Sequence, residues 1–481
     1  MRLVIVIFLF ILQSCGHHNV INFRMPSSFK ESKIAVLGDL EGNLNRFEDF
    51  INKTDTLYRS EDGKLNLIGD KKFVFLGDVM DRGPGSLRIM NDLIHLKKKY
   101  PNQVTIILGN RDINKLKIMS LMDKFLNKPV PEIVLPWYKE VFEKDYGFKI
   151  PKHLNTKGVQ KFVQRYDTPL LRFKAFLAGM NAPKAFEYRK EELKILVPTR
   201  TIDDNFVFAS FLNDYEEGGI LREYLKLGQL AKIIDGNLFV HGAVTDNNIG
   251  YVPGNFFHFK DPREWISKLN QWAKSEINDW FKDSSKGADL LVYHAPKKGT
   301  IQNEQSVIYG RYSDEEGNPH SPRRKLIKKL QSAGIHRIIV GHTPTGDYPI
   351  LLRKPNFEVV LADSSFSSTD HASKIIIQGE DVYIETENKE GSKLIVHSNV
   401  NETMNPIGMK TRDGHRIIGR FENSDDLLAL KVEGKGRKFT TQYLKESALD
   451  LAERGLVEAF EQRLKDPCTK IMKIFLKKDS I

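Results

Sequence analysis

One pattern constrains the fold more than any other. Along the chain, short apolar runs stop at small clusters of polar, metal-capable residues. Residues 34–37 precede Gly38-Asp39, residues 73–76 precede Gly77-Asp78, and residues 104–108 precede Gly109-Asn110. Later, 238–240 precede His241-Gly242, 290–293 precede His294, 338–340 precede Gly341-His342, and 359–362 precede Asp363. Such runs, rich in β-branched residues and bounded by glycine or proline, read as buried strands. Apolar residues at helical spacing follow at 44–51, 87–96 and 326–330. Strands alternating with helices make an α/β core, and open α/β sheets bind ligands beyond the carboxyl ends of their strands. Each polar end taken singly is an ordinary turn residue. Their repetition is what points to a site.

The stretch from Asn110 to His241 is longer than a βα connection needs, which places an insertion at about 117–235. Its aromatic and leucine-rich segments (137–142, 170–176, 206–212, 221–230) look helical and could cap the strand ends. The expected core domain is 33–375, with a β-rich extension at 376–481 that ends in an amphipathic helix at 444–464. Charged residues are 28% and hydrophobic residues 40% of the 481, a soluble globular composition that excludes collagen, coiled coil and multi-span membrane chains. The net charge of +11 favours anionic partners such as phosphate esters. No long Lys/Arg block accompanies it, so nucleic acid is not expected.

Two cysteines, Cys15 and Cys468, are too few for a disulfide framework or a cysteine zinc site. Residues 3–12 are uninterrupted apolar residues after Arg2, too short to span a bilayer but suited to a signal-peptide core. Leu12-Gln13-Ser14-Cys15 follows and resembles the lipobox of bacterial lipoproteins. The expectation is therefore a lipoprotein signal at 1–15, acylation of Cys15, a tether at 16–32 and a place in the bacterial cell envelope. An ordinary cleaved signal peptide on a secreted protein is the alternative. His17 and His18 read as tether polarity.

Asp39 and Glu41 put two carboxylates close together, Asp78 and Asn110 add oxygen donors, and His241 and His342 add imidazoles. This mixed set suits two divalent cations of the manganese, iron or zinc kind, with Asp78 able to bridge them. Arg82 could clamp a phosphate through its planar fork. GDLEGN at 38–43, GDVMDRGPGS at 77–86, GNRD at 109–112, HGA at 241–243 and GHTP at 341–344 resemble, in order, the motifs of calcineurin-like metallophosphoesterases. The GDxxDRG form is most similar to the phosphoprotein phosphatase branch.

The resemblance implies a four-layer αββα sandwich and a metal-dependent phosphatase acting on a phosphorylated protein or small molecule. It implies Asp39 and Glu41 on a first ion, Asp78 bridging, Asn110, His241 and His342 on a second, and Arg82 on phosphate. Two motifs depart from the pattern. Glu41 stands where the family has histidine, which should favour Mn²⁺ or Mg²⁺ over Zn²⁺. Arg111 stands where the family has the histidine that helps protonate the leaving group, and guanidinium cannot do that. Arg111 is expected to pair with Asp81, and the pair could still bind phosphate or stabilise charge. His294 reads as a substitute acid, a phosphate contact or a core histidine. Arg311 reads as a second phosphate contact or a surface residue. Asp363 and Asp112 are expected in supporting roles, and His320, His336 and His371 at the surface. A nucleotide or dinucleoside polyphosphate hydrolase, or an inactive surface-anchored binding protein, are the competing readings.

Overall fold

The computed structural model describes residues 33–119, 168–284, 286–364, 367–402, 405–435 and 438–455. The signal and tether (1–32), the expected helix at 137–142, residues 456–464 of the expected terminal helix and Cys468 lie outside them. The elements run β1 (Ile34–Leu37), α1 (Leu44–Lys53), β2 (Leu57–Arg59), β3 (Leu65–Leu67), β4 (Lys72–Phe75), α2 (Ser86–Lys99), β5 (Val104–Ile106) and α3 (Asn110–Asn114). Four helices follow: α4 (Pro169–Gly179), α5 (Ala185–Leu196), α6 (Asp204–Asn213) and α7 (Ile220–Leu227). Then come β6 (Ala231–Ile234), β7 (Asn237–Val240), α8 (Pro262–Lys282), α9 (Ala288–Tyr293), α10 (Arg324–Ser332), β8 (Arg337–Val340), β9 (Ile350–Lys354) and β10 (Phe357–Leu361). The chain continues with β11 (Lys374–Gln378), β12 (Asp381–Glu387), β13 (Lys393–Asn399), β14 (Arg416–Phe421), β15 (Leu427–Lys435), β16 (Lys438–Glu446) and α11 (Ala448–Glu453).

Alternation along the strands sorts side chains into layers. Ile34 and Val36 of β1 face an apolar cluster shared with Val74 of β4, Phe239 of β7, Ile339 of β8 and Val360 of β10. Ala35 and Leu37 turn the other way, into a cluster with Phe47 and Phe50 of α1 and Ile89 and Leu93 of α2. In β8, Ile338 and Val340 likewise join the cluster that contains Trp265 and Leu269 of α8 and Leu330 of α10. Two sheets therefore pack face to face, each covered by helices on its outer face. This is an α/β sandwich of four layers, as the motifs implied.

The sheets have the orders β16-β15-β14-β13-β12-β11-β1-β4-β5 and β6-β7-β8-β10-β9. Strands β1, β4 and β5 are parallel, as are β7, β8 and β10, so each trio delivers its carboxyl ends to one edge. Local signals start the helices that follow. The Asn43 side chain accepts from the Arg46 amide to cap α1, and Asp261 caps α8 ahead of Pro262.

Four expectations are corrected. Residues 290–293 are not a strand but the last turn of α9, because a short apolar run fits either element and Leu290 and Tyr293 bury one helical face. The boundary at 375/376 falls inside β11, which pairs antiparallel with β1, so the later strands extend the same sheet. The stretch at 231–234, assigned to the insertion, is β6 of the second sheet, antiparallel to β7. Leu444 lies in β16, opposite Ala429 of β15, rather than at the start of a helix.

At the end of the sandwich opposite the polar strand ends, Arg337 is fully buried. It donates to Glu358 Oε2 (Nε, 2.8 Å), Asn237 Oδ1 (2.9 Å) and the Glu380 carbonyl (2.6 Å). Glu358 Oε1 accepts from Ser398 Oγ (2.5 Å), so the network joins both sheets. Breaking a buried pair leaves an uncompensated charge, at a cost of about 3–5 kcal/mol. Arg353 Nε, 3.5 Å from Glu358, remains as a partial partner. Arg337→Ala should therefore lower stability by about 3 kcal/mol, the lower end of that range. Urea denaturation measures this, and a shift below about 1 kcal/mol would remove the network from the framework of the fold.

Candidate active site

Six strand ends meet at one edge. Asp39 follows β1, Asp78 follows β4, Asn110 follows β5, His241 follows β7, His342 follows β8 and Asp363 follows β10. All except Asn110 are buried, and Asp39, Asp78, Asn110, His342 and Asp363 border an open cleft of about 490 Å³. Several of the turns are conformationally unusual. Glu41 (φ 50°), Asp78 (φ 57°), Asp81 (φ 107°) and His342 (φ 66°) all hold left-handed backbones. Strain of this kind collects at sites where the surroundings fix a side chain's direction. Gly109 is required by close approach, since a Cβ there would lie 2.1 Å from Asp78 Oδ1.

Asp112 supports the turns. Its carboxylate accepts the amides of Gly109 (2.8 Å), Asp78 (3.0 Å) and Val79 (2.9 Å), while burial pushes its pKa up to about 6. Asp363 accepts the Asp39 amide at 2.8 Å, tying one sheet to the other. Both aspartates support the backbone here.

His241 shows what the centre can hold. Its Nδ1 is 2.8 Å from the Leu76 carbonyl, an acceptor only, so Nδ1 carries the proton. Burial lowers the pKa of this imidazole, which keeps it neutral. Its Nε2 lone pair then faces Asn110 Oδ1 at 3.1 Å and Asp78 Oδ1 at 3.5 Å. Ligand atoms of Asp78, His241 and His342 lie within 4.8 Å of one another. Ligand atoms converging in this way fit a divalent cation, and a backbone carbonyl behind the histidine fixes the ligating tautomer. Tyr309 packs edge-on against His342, ring centroids 4.6 Å apart.

The Glu41 side of the site is different. Glu41 Oε1 is 2.6 Å from Arg111 Nε, and Oε2 accepts from Arg82 Nη1 at 2.8 Å. Arg111 Nη1 also donates to Asp81 (3.2 Å) and to the Asn181 carbonyl (3.3 Å). Lys115 Nζ meets the same Asp81 oxygen at 2.6 Å. The expected Asp81–Arg111 contact is thus present within a larger network. Lys115 and Asn181 were missed by sequence reasoning. Lys115 is four residues past Arg111, a spacing that brings helical side chains together, and was legible in principle. Asn181 comes from the insertion, which reaches the cleft through the turn after α4.

His294 lines the cleft at the end of α9 and is buried, and its Nδ1 has no hydrogen-bond partner among the described residues. Burial, with the charge of Lys117 adding, drops its pKa to about 3. Arg311 also lines the cleft and donates to the carbonyls of Ile301 (3.2 Å) and His342 (3.3 Å). His320 and His371 are exposed as expected, but His336 is half-buried, its ring lying over Gly236, where a Cβ would come within 2.3 Å of it.

Burial is the main cause that pushes the Asp78 carboxyl up to about 7; Arg111 opposes the rise and Glu41 adds to it. A cation must displace that proton, so its affinity should be full above pH 7 and fall as pH drops below it. Calorimetric titration with Mn²⁺ at about pH 8 and about pH 5.5 should show at least a tenfold weakening at the lower pH. Equal affinities would exclude Asp78 as a ligand.

Residues 32–178 match the family model of calcineurin-like phosphoesterases. Serine/threonine-protein phosphatase SIT4 of Candida albicans is 30% identical over 114 residues, which cover 24% of this chain and 34% of that protein. The serine/threonine-protein phosphatase 6 catalytic subunit of Caenorhabditis elegans is 30% identical over 113 residues, 23% of this chain and 31% of that one. The chain thus spans about a third of the length of these relatives. A cold-active protein-tyrosine phosphatase of a Shewanella species aligns over 77% of this chain and 80% of its own, at 15% identity and a TM-score of 0.38. Residues 32–178 are thus similar to calcineurin-like phosphoesterases, and the chain shares a stretch of sequence with serine/threonine-protein phosphatases.

Proposed function

We propose that this protein is a metal-dependent phosphatase that hydrolyses phosphomonoesters, with phosphorylated proteins as the leading substrate class. The observation that carries the reading is the unprotonated Nε2 of His241 facing Asp78 and Asn110. Asp78, Asn110, His241 and His342 would hold the cation, with Mn²⁺ the leading choice and Fe²⁺, Mg²⁺ or Zn²⁺ the others, since the donors mix oxygen and imidazole nitrogen. Such an ion lowers the pKa of a bound water and neutralises phosphoryl oxygens. The names of the curated relatives support a protein substrate.

The remaining roles belong to this chain's own side chains. Arg82 is 41% exposed and points its fork into the cleft, where it can take a phosphoryl oxygen. Arg111 presents a fixed positive charge behind it. Leu76 holds the His241 tautomer. Neither Arg111 nor His294 can donate a proton at neutral pH, the first because guanidinium stays charged and the second because its imidazole is already neutral. General acid catalysis contributes about 10²–10⁴-fold, and its loss falls hardest on poor leaving groups. Arg311 and Lys117 add positive charge farther along the cleft. That supports a nucleotide or dinucleoside polyphosphate as the second substrate class.

We also propose that Cys15 carries a lipid anchor that holds the protein at the cell envelope. The support is the apolar run 3–12 and the Leu-Gln-Ser-Cys sequence.

Two assays test these readings. With Mn²⁺ present, kcat/KM for p-nitrophenyl phosphate and phosphotyrosine peptides should exceed that for phosphoserine peptides by about 10²-fold or more. Equal rates would show that a proton donor operates, and no metal-dependent turnover of any of these or of dinucleoside polyphosphates would remove the enzyme reading. For the anchor, palmitate label should enter the protein in a bacterial host and be lost in Cys15→Ala. Equal labelling of both would end that proposal.

A further inference from the structure

Two of the carboxylates that would share a first cation already share a guanidinium. Arg111 Nε is 2.6 Å from Glu41 Oε1 and 3.7 Å from Asp78 Oδ2. The Arg111 amide donates to Asp78 Oδ1 at 2.7 Å, and that same oxygen faces His241. The second oxygen of Glu41 is taken by Arg82. At its far end Arg111 is held by Asp81 and the Asn181 carbonyl, and its side chain is only 8% exposed. A dication placed between Glu41 and Asp78 would have to expel this buried guanidinium or sit against its charge. Charge repulsion at such separations is strong in a buried setting. At the second position, by contrast, Asp78 Oδ1 and Asn110 Oδ1 turn toward the His241 imidazole, while Arg111 Nε approaches only the other oxygen of Asp78.

We propose that Arg111 replaces the first metal ion of this centre. The protein then binds one divalent cation, on Asp78, Asn110, His241 and His342, and the guanidinium supplies a permanent charge in the neighbouring position. This rests on the metal-dependent reading above. It also gives Glu41 a purpose. In place of a neutral histidine, a carboxylate fixes Arg111 and Arg82 side by side, which a metal ligand set alone would not require. Guanidinium contributes charge and directional N–H donors but cannot ionise a water molecule. The centre would hold phosphate on two arginines and leave water activation to one ion.

Metal stoichiometry tests this without reference to turnover. The full chain, loaded with excess MnCl₂ and freed of unbound metal, should retain one equivalent by elemental analysis. Its electron paramagnetic resonance spectrum should be that of an isolated Mn²⁺. Arg111→Ala, with its fold checked by circular dichroism, should take up a second equivalent and show the spectrum of an exchange-coupled pair. Arg111→Lys, which keeps the charge, should stay at one. Two equivalents in the unmodified protein would overturn the replacement while leaving a metal-dependent phosphatase intact. No retained metal would overturn both. A folded Arg111→Ala variant that stays at one equivalent would show that Arg111 is not what excludes the second ion. If that variant does not fold, the count and spectrum of the unmodified protein still decide the matter.

Discussion

The hydrogen bond from the Asp39 amide to the Asp363 carboxylate crosses from the end of β1 to the end of β10, and so from one sheet to the other. The site exists only because two sets of parallel strands end at the same place. One set brings Asp39, Asp78 and Asn110, and the other brings His241 and His342. Neither sheet alone brings Asp78 together with the two histidines. The apolar seam between the sheets, with Val36, Val74, Phe239 and Ile339, holds the two edges in register. Buried cores of this kind are close-packed, so a shift of one sheet against the other would be resisted throughout the seam.

Charge is arranged asymmetrically around that junction. On one side, carboxylate and imidazole groups gather, and burial raises the pKa of both Asp39 and Asp78, helped at Asp39 by the mutual repulsion of neighbouring carboxylates. On the other side, Glu41 and Asp81 are matched by Arg111, Arg82 and Lys115. The left-handed backbones at Glu41, Asp78 and Asp81 aim these groups inward. A carboxylate buried without a cation is costly. One half of the centre meets that demand within the chain, and the other half leaves it to the cation proposed above.

Much of this was legible in the sequence, for identifiable reasons. Strands buried on both faces leave uninterrupted apolar runs, and the polar residue at each end stands out against them. That is why Asp39, Asp78, Asn110, His241 and His342 could be named from spacing and motif together. His294 was read at a strand end because four apolar residues fit one turn of helix as well as a strand. The span at 438–446 was partly misread because Leu444 suits an amphipathic helix, whereas the observed pairing with β15 depends on a partner strand. The grip of Glu41 on Arg111 was not legible, since it joins residues from two separate loops through tertiary packing. The four-residue step from Arg111 to Lys115 was legible and went unused.

The pairing of β1 with β11 bears on how the chain is made. Strand β1 carries Asp39 at its end, and the neighbour on its open side, residues 374–378, is synthesised long after it. At ribosomal speeds of about 5–20 residues per second, the interval is roughly 20–70 s. Throughout that time an apolar strand with unmatched backbone groups has no native partner on one edge, the condition that invites pairing with other chains. Successful biogenesis therefore depends on shielding the nascent β1 edge until residues 374–378 arrive.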